Sequence, residues 1–230
     1  MSRRDFLSGV IEGFYGPPWS DSQRVRLFDG LQGWGLNTYF YAPKDDLHHR
    51  ALWRVPYGEG DADRLRGLAE EARKRGLRFV YGLAPGLDMA YADPTELRLL
   101  NARVEQLAAL GIHDLALLFD DIPDRLSDRD RQVFGSFARA QAAVARALHG
   151  KMTDRQPKAR FLFCPTPYCD RMQRAGLGGA QYLEEIGAEL PASMDVLWTG
   201  PEIVSPSVDG ASLAAFTRRV RRAPVLWDNL

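Results

Sequence analysis

Short apolar runs alternate along this chain with longer stretches in which apolar residues recur every three or four positions. The short runs are FLSGVIEGF (6–14), LNTYFYA (36–42), RFVYGLA (78–84), DLALLF (114–119), RFLFC (160–164), DVLW (195–198) and PVLW (224–227). Several are nearly continuous in Val, Leu, Phe and Tyr, as strands covered on both faces are. The longer spacing predicts helices over 21–34 (Val25, Leu27, Phe28, Leu31, Trp34), 62–75 (Leu65, Leu68, Ala69, Ala72) and 94–110. It predicts others over 128–149 (Val133, Phe134, Phe137, Ala140, Val144, Leu148), 181–190 and 211–221. Ser20 or Asp21 caps the first, Asp93 precedes Pro94 at the start of the third, and Gly76, Gly111 and Gly150 act as stops.

Strand–helix alternation repeated this often means parallel βα units, and no linker, repeat or composition shift divides the chain. The expected fold is α/β, a TIM (β/α)8 barrel over 1–230. A doubly wound dinucleotide fold would carry G-x-G-x-x-G after its first strand, and GVIEGFYG (9–16) lacks that spacing. An eighth strand does not appear before Leu230. The expectation is therefore a fragment of a longer chain, a catalytic barrel that is C-terminally incomplete.

Bulk properties narrow the partners. Lys plus Arg and Asp plus Glu both number 30, so the formal net charge is zero and neither nucleic acid nor an anionic membrane is selected by charge. The basic stretch RRVRR (218–222) lacks interleaved aromatics and reads as a solvated helix end. Cys164 and Cys169 have no Cys or His partners at metal-ligand spacing and read as reduced thiols of a cytoplasmic protein. No apolar stretch approaches the ~20 residues of a membrane span. SRRDFL (2–7) imitates a twin-arginine export signal, but Glu12, Pro17 and Pro18 interrupt the apolar region such a signal needs.

Distinctive polar residues fall after the strands, where a barrel builds its reactive face. They lie in EGFYGPPW, APKDDLHHR, APGLDM, FDDI, CPTPYC, WTGPE and WDN, while the opposite ends carry ordinary charged tails such as EEARKRG (70–76). Tyr15, Trp19, Tyr41, Tyr168, Trp198 and Trp227 offer flat apolar faces, and Lys44, Asp120, Asp121 and Asn229 offer hydrogen bonds. That mixture suits an uncharged sugar, with apolar C–H faces and a polar rim. Phosphate chemistry would want a Gly-rich cradle or an Arg cluster, and neither lies here.

Asp120 and Asp121 are adjacent, so at a strand end they would point to opposite faces, and two close carboxylates split their titration. Neighbours in sequence make an awkward donor and nucleophile on two sides of one bond. They better suit a reaction in which the substrate's own 2-acetamido oxygen attacks the anomeric carbon. Read by spacing alone, the pair is equally a solvated strand-end corner, and Tyr168, Trp227 and Lys44 also have bland readings as core or surface. KDDLHHR (44–50) is set aside as a metal site, because consecutive histidines do not readily share one ion.

Seven stretches in order carry a resemblance. GVIEGFYGPPW (9–19), LNTYFYAPKDDLHHR (36–50), LAPGLDM (83–89), ALLFDDI (116–122), FLFCPTPYC (161–169), LWTGPEIVS (197–205) and APVLWDN (223–229) span nearly the whole chain. Together they resemble the catalytic domain of the O-GlcNAcase family, glycoside hydrolase family 84, whose bacterial members include enzymes once named hyaluronidases. The resemblance implies a retaining β-N-acetylglucosaminidase that needs no metal or organic cofactor and acts on an N-acetylglucosamine-bearing glycoside or glycoprotein. By its pattern Asp120 orients the acetamido group and Asp121 is the general acid and then base. Gly9, Lys44, Tyr168, Trp227 and Asn229 match sugar contacts, and Cys164 and Thr199 match pocket-lining positions. The pattern continues beyond Leu230 to an Asp and an Asn that grip the sugar, so weak or no activity is expected of these 230 residues alone. A hyaluronidase-type hexosaminidase, a non-catalytic sugar-binding barrel and a metal-dependent hydrolase are the alternatives.

Overall fold

The computed structural model describes residues 6–229. Ser2 to Asp5 of the SRRDFL stretch and Leu230 lie outside the described residues. The strands are β1 (Gly9–Glu12), β2 (Thr38–Tyr41), β3 (Arg78–Leu83), β4 (Asp114–Leu118), β5 (Phe161–Cys164), β6 (Asp195–Trp198) and β7 (Pro224–Leu226). They follow one another in a single sheet in chain order. Parallel register is set by pairs such as Val10 with Tyr39, Phe40 with Val80, Leu162 with Asp195 and Leu197 with Val225. The helices are α1 (Asp21–Gly33), α2 (Glu59–Lys74), α3 (Pro94–Ala109), α4 (Asp128–Phe134), α5 (Phe137–Arg155), α6 (Asp170–Arg174), α7 (Tyr182–Glu189) and α8 (Gly210–Val220). The result is an α/β fold on a parallel sheet. Among the described residues no helix is long and apolar enough to cross a membrane.

Two compact units divide the chain. One holds the residues up to Leu83 together with Leu100–Ala116, and the other holds Ala84–Leu99 and everything from Leu117 onward. In the first, all four residues of β2 are buried, and Tyr39 sits between Phe28 of α1 (centroids 4.8 Å apart) and Phe79 of β3 (5.5 Å). Leu65, Leu68, Ala69 and Ala72 of α2 are buried, as their spacing predicts. In the second, Phe119 meets Phe163 at 5.7 Å and Trp198 meets Phe216 at 4.6 Å. Each such side chain, fully buried, contributes about 1.5–3 kcal/mol by removal from water.

The predicted helix over 128–149 is two helices. Gly135 takes φ of +76°, a left-handed conformation that ends α4, and the Ser136 hydroxyl accepts the Arg139 N–H at 3.2 Å to cap α5 afresh. The break carries Val133 out of the apolar stripe, to 60% exposure. At its other end α5 passes through Gly150 to Arg155, where the buried Met152 anchors the extra turn. Trp34, expected on the buried face of α1, is its C-cap and is 69% exposed. Ser20 is the N-cap, in a reciprocal capping box with Gln23. The short α6 and a 3-10 turn over Pro85–Leu87 escape the periodicity because neither completes two turns.

Candidate active site

The acidic pair lies in the second unit, just past the end of β4. The Phe119 N–H continues the ladder beyond β4 by donating to the Cys164 carbonyl at 3.0 Å, and the chain then turns. Asp120 is buried at 6% exposure, whereas Asp121 is exposed and adopts φ of +51°. A left-handed residue other than glycine is uncommon, and Asp tolerates it better than most. The pair thus does not occupy a strand, where the side chains would diverge across the sheet. It lies in the turn just past the strand.

Tyr168 closes on this turn from the segment after β5, its hydroxyl donating to Asp121 Oδ1 at 2.9 Å. Burial pushes the Tyr168 hydroxyl above its ordinary value, and the charge of Asp121, its hydrogen bond and the charge of Asp120 push the same way. The phenol therefore keeps its proton and remains a donor. Tyr168 is held in turn by its carbonyl, which accepts the Thr199 N–H at 2.9 Å. The Thr199 hydroxyl reaches the Glu202 carbonyl at 2.7 Å and the Tyr168 carbonyl at 3.3 Å, so its bonds in this structure brace the loop. Cys164 ends β5 and is buried. Trp227 extends the β6–β7 pairing through its N–H to the Trp198 carbonyl at 2.9 Å and is half-buried. Asn229 donates to the Ile203 carbonyl at 3.2 Å.

A buried network that the sequence pattern did not single out supports the Tyr168 segment. Gln141 of α5, fully buried, donates to the Thr166 hydroxyl at 2.8 Å and accepts from the Tyr182 hydroxyl. Its only sequence signal is a polar residue inside the apolar stripe of a helix.

Lys44 and Gly9 belong to the first unit, and they stand at opposite ends of their strands. Lys44 follows the C-terminal end of β2 and is buried, its N–H on the Phe14 carbonyl at 3.2 Å. Gly9 opens β1 at its N-terminal end, and a Cβ there would lie 1.7 Å from the Thr38 carbonyl oxygen. Close strand packing therefore accounts for this glycine. The glycine at the Lys44 end of β1 is Gly13, next to Phe14 and directly after Glu12.

The remainder of KDDLHHR is tied internally. Asp46 accepts from the Tyr41 and Tyr57 hydroxyls at 2.7 and 2.8 Å, His48 meets the Val55 carbonyl at 3.0 Å and His49 the Gly82 carbonyl at 2.8 Å. Among the described residues no group of three His, Cys, Asp or Glu is placed to hold a metal ion.

Residues 8–230 match the family model NAGidase, described as beta-N-acetylglucosaminidase. The chain is similar to the protein O-GlcNAcase of Rattus norvegicus, 41% identical over 227 residues, which are 99% of this chain and 24% of that protein. The protein O-GlcNAcase of Mus musculus gives the same identity and coverage. The chain therefore spans about a quarter of the length of these curated relatives. Among solved structures it is similar to a mutant O-GlcNAc hydrolase of Thermobaculum terrenum, with a TM-score of 0.91 and 33% identity over 97% of this chain and 47% of that one.

Proposed function

This chain belongs to the beta-N-acetylglucosaminidase family, and from that premise we propose that it is a retaining β-N-acetylglucosaminidase that removes terminal O-linked N-acetylglucosamine. The observation that carries the reading is the Tyr168 hydroxyl on Asp121 at 2.9 Å, beside the buried Asp120. Asp120 accepts the N–H of the 2-acetamido group and turns its oxygen toward the anomeric carbon. That oxygen attacks, the bond from the anomeric carbon to the leaving oxygen breaks, and Asp121 gives the leaving oxygen a proton. An oxazoline results once the acetamido N–H proton passes to Asp120, which returns it when the ring reopens. Water then attacks the anomeric carbon from the vacated face and yields a proton to Asp121, and the acetamide reopens. Two inversions give net retention. A phenol both donates and accepts, so Tyr168 stays in contact with Asp121 in either protonation state.

Lys44 and Asn229 take the sugar hydroxyls, Trp227 walls the acetamido methyl, and Cys164 and Thr199 line the pocket. Gly13 replaces Gly9 in this set, because it stands at the Lys44 end of its strand. The reaction as written calls for no metal or organic cofactor. The same proposal takes the seven strands as staves of a (β/α)8 barrel, which strict chain order with helical crossovers supports. It takes the substrate as a glycoside or glycoprotein and the setting as cytoplasmic, which two buried thiols fit.

The test is hydrolysis of 4-nitrophenyl N-acetyl-β-D-glucosaminide, at enzyme concentrations where slow turnover registers. Successive fluorination of the acetamido methyl weakens the attacking oxygen, so the rate should fall with each fluorine, and Asp121→Asn should abolish turnover. Rates indifferent to fluorine, or a product released first as the α-anomer, would refute the mechanism.

A further inference from the structure

Glu12, the last residue of β1, is completely buried, and the mechanism above does not use it. Its carboxylate accepts four hydrogen bonds. Arg24 Nε and Nη2 donate at 2.9 and 2.8 Å, the Trp19 N–H donates at 2.9 Å, and the Tyr39 hydroxyl supplies the fourth. Four bonds fill the whole acceptor capacity of a carboxylate. Burial and the neighbouring Glu12 charge push the Tyr39 hydroxyl upward; burial pulls Arg24 down, but Glu12, Tyr39 and Tyr41 together raise it, so both stay donors.

Tyr39 comes from β2, and the other groups bracket one loop. Glu12 precedes it, Trp19 closes it and Arg24 stands in α1 just beyond, with the left-handed Gly16 and two prolines between Glu12 and Trp19. The carboxylate thus pinches the loop shut at its base. The middle of the loop holds Lys44: Phe14 accepts the Lys44 N–H, and the Lys44 ammonium lies 6.0 Å from the Tyr15 ring centroid. Arg50 also holds Tyr15, donating to its hydroxyl at 2.9 Å.

We propose that Glu12 is a positioning residue, which fixes the Gly13–Trp19 loop and through it the place of Lys44. The inference rests on the reading that Lys44 contacts the sugar. A buried ion pair that served stability alone would lower the melting temperature and the active fraction but would leave KM unmoved. A positioning role toward a ground-state sugar contact appears in KM instead.

Glu12→Gln keeps the shape but replaces an acceptor with an amide donor, so at least one of the four bonds cannot form. It should raise KM for the 4-nitrophenyl substrate about tenfold and change kcat less than about threefold. Lys44→Ala should raise KM too, and the double variant should have a KM no higher than Lys44→Ala alone, because the first substitution acts through the second residue. Independent multiplication of the two effects, or Glu12→Gln with unchanged KM, would overturn the proposal. Unchanged KM in Lys44→Ala would instead overturn the sugar-contact reading beneath it. Should Glu12→Gln fail to fold, Tyr39→Phe removes one donor and leaves the charged pair. It should raise KM about two- to threefold, and a wild-type KM there would overturn the proposal.

Discussion

Gly86 packs against the residues on either side of the Asp120–Asp121 turn, and a single methyl added there should disturb the acidic pair without touching it. Gly86 is buried in the 3-10 turn after β3, and a Cβ on it would stand 2.5 Å from Ile122 Cδ1, 2.9 Å from Phe119 Cδ1 and 3.2 Å from Ile122 Cγ2. Those two side chains flank Asp120 and Asp121 directly. Carbon atoms pack at about 3.5–4.0 Å, so relief requires movement on the order of 1 Å. Overpacking of this kind costs about 1–3 kcal/mol, and at roughly 2–4 °C per kcal/mol in a chain of this size the melting temperature should fall by roughly 2–12 °C. A displacement of about 1 Å at a reacting group costs on the order of 100-fold in rate. Gly86→Ala should therefore remain folded by circular dichroism while kcat for the 4-nitrophenyl substrate drops far more than the folded fraction. Ile122→Val deletes Cδ1, the nearest clashing atom, at a cost of about 0.5–1.5 kcal/mol on its own. Added to Gly86→Ala it should restore most of the lost rate. Gly86→Ala with wild-type kcat, or a double variant slower than either single one, would show that the turn is not held from beneath in this way.

Three further outcomes follow from the same geometry. Tyr168→Phe deletes the hydrogen bond that the phenol donates to Asp121, worth about 1.5–3 kcal/mol to a charged partner, and kcat should fall by roughly 10- to 100-fold with the melting temperature little changed. Gly9→Ala places a methyl 1.7 Å from the Thr38 carbonyl, so urea unfolding should show a large loss of stability or no folded protein, although no catalytic group is touched. His149 has its pKa lowered from 6.5 by burial, so the unfolded chain binds more protons between the two values and stability rises with pH there. The melting temperature should therefore drop as pH falls below about 6.5, and it should drop less steeply in His149→Gln.

Much of the fold was legible because strand and helix leave different periods. DVLW (195–198) is a strand at the bounds its composition marks, and Leu65, Leu68, Ala69 and Ala72 face inward at helical spacing. Failures came where backbone conformation, rather than side-chain pattern, decided the outcome. Gly135 and Gly150 are both glycines within one apolar period, yet only Gly135 turns left-handed. Ser136 gives that break its cap, while past Gly150 the buried Met152 holds the helix together. Periodicity weighs apolar positions and is blind to which glycine has a capping partner.

The candidate site was marked in the sequence by residue type and less so by placement. Asp120 and Asp121 were marked by their adjacency after an apolar run, but their separation into a buried and an exposed carboxylate depends on the left-handed turn at Asp121. GVIEGFYGPPW was marked as a segment, yet a segment has two ends. Gly9 is the first residue of a four-residue strand and Gly13 follows its last, and strand direction alone places Gly13 with Lys44. Between them Glu12 looked like one more polar residue of a loop. Its role depends on Arg24 and Tyr39, which lie 12 and 27 positions away and meet it only when α1 packs on β1 and β2. A buried carboxylate with four donors is assembled by tertiary structure, so no local pattern could have announced it.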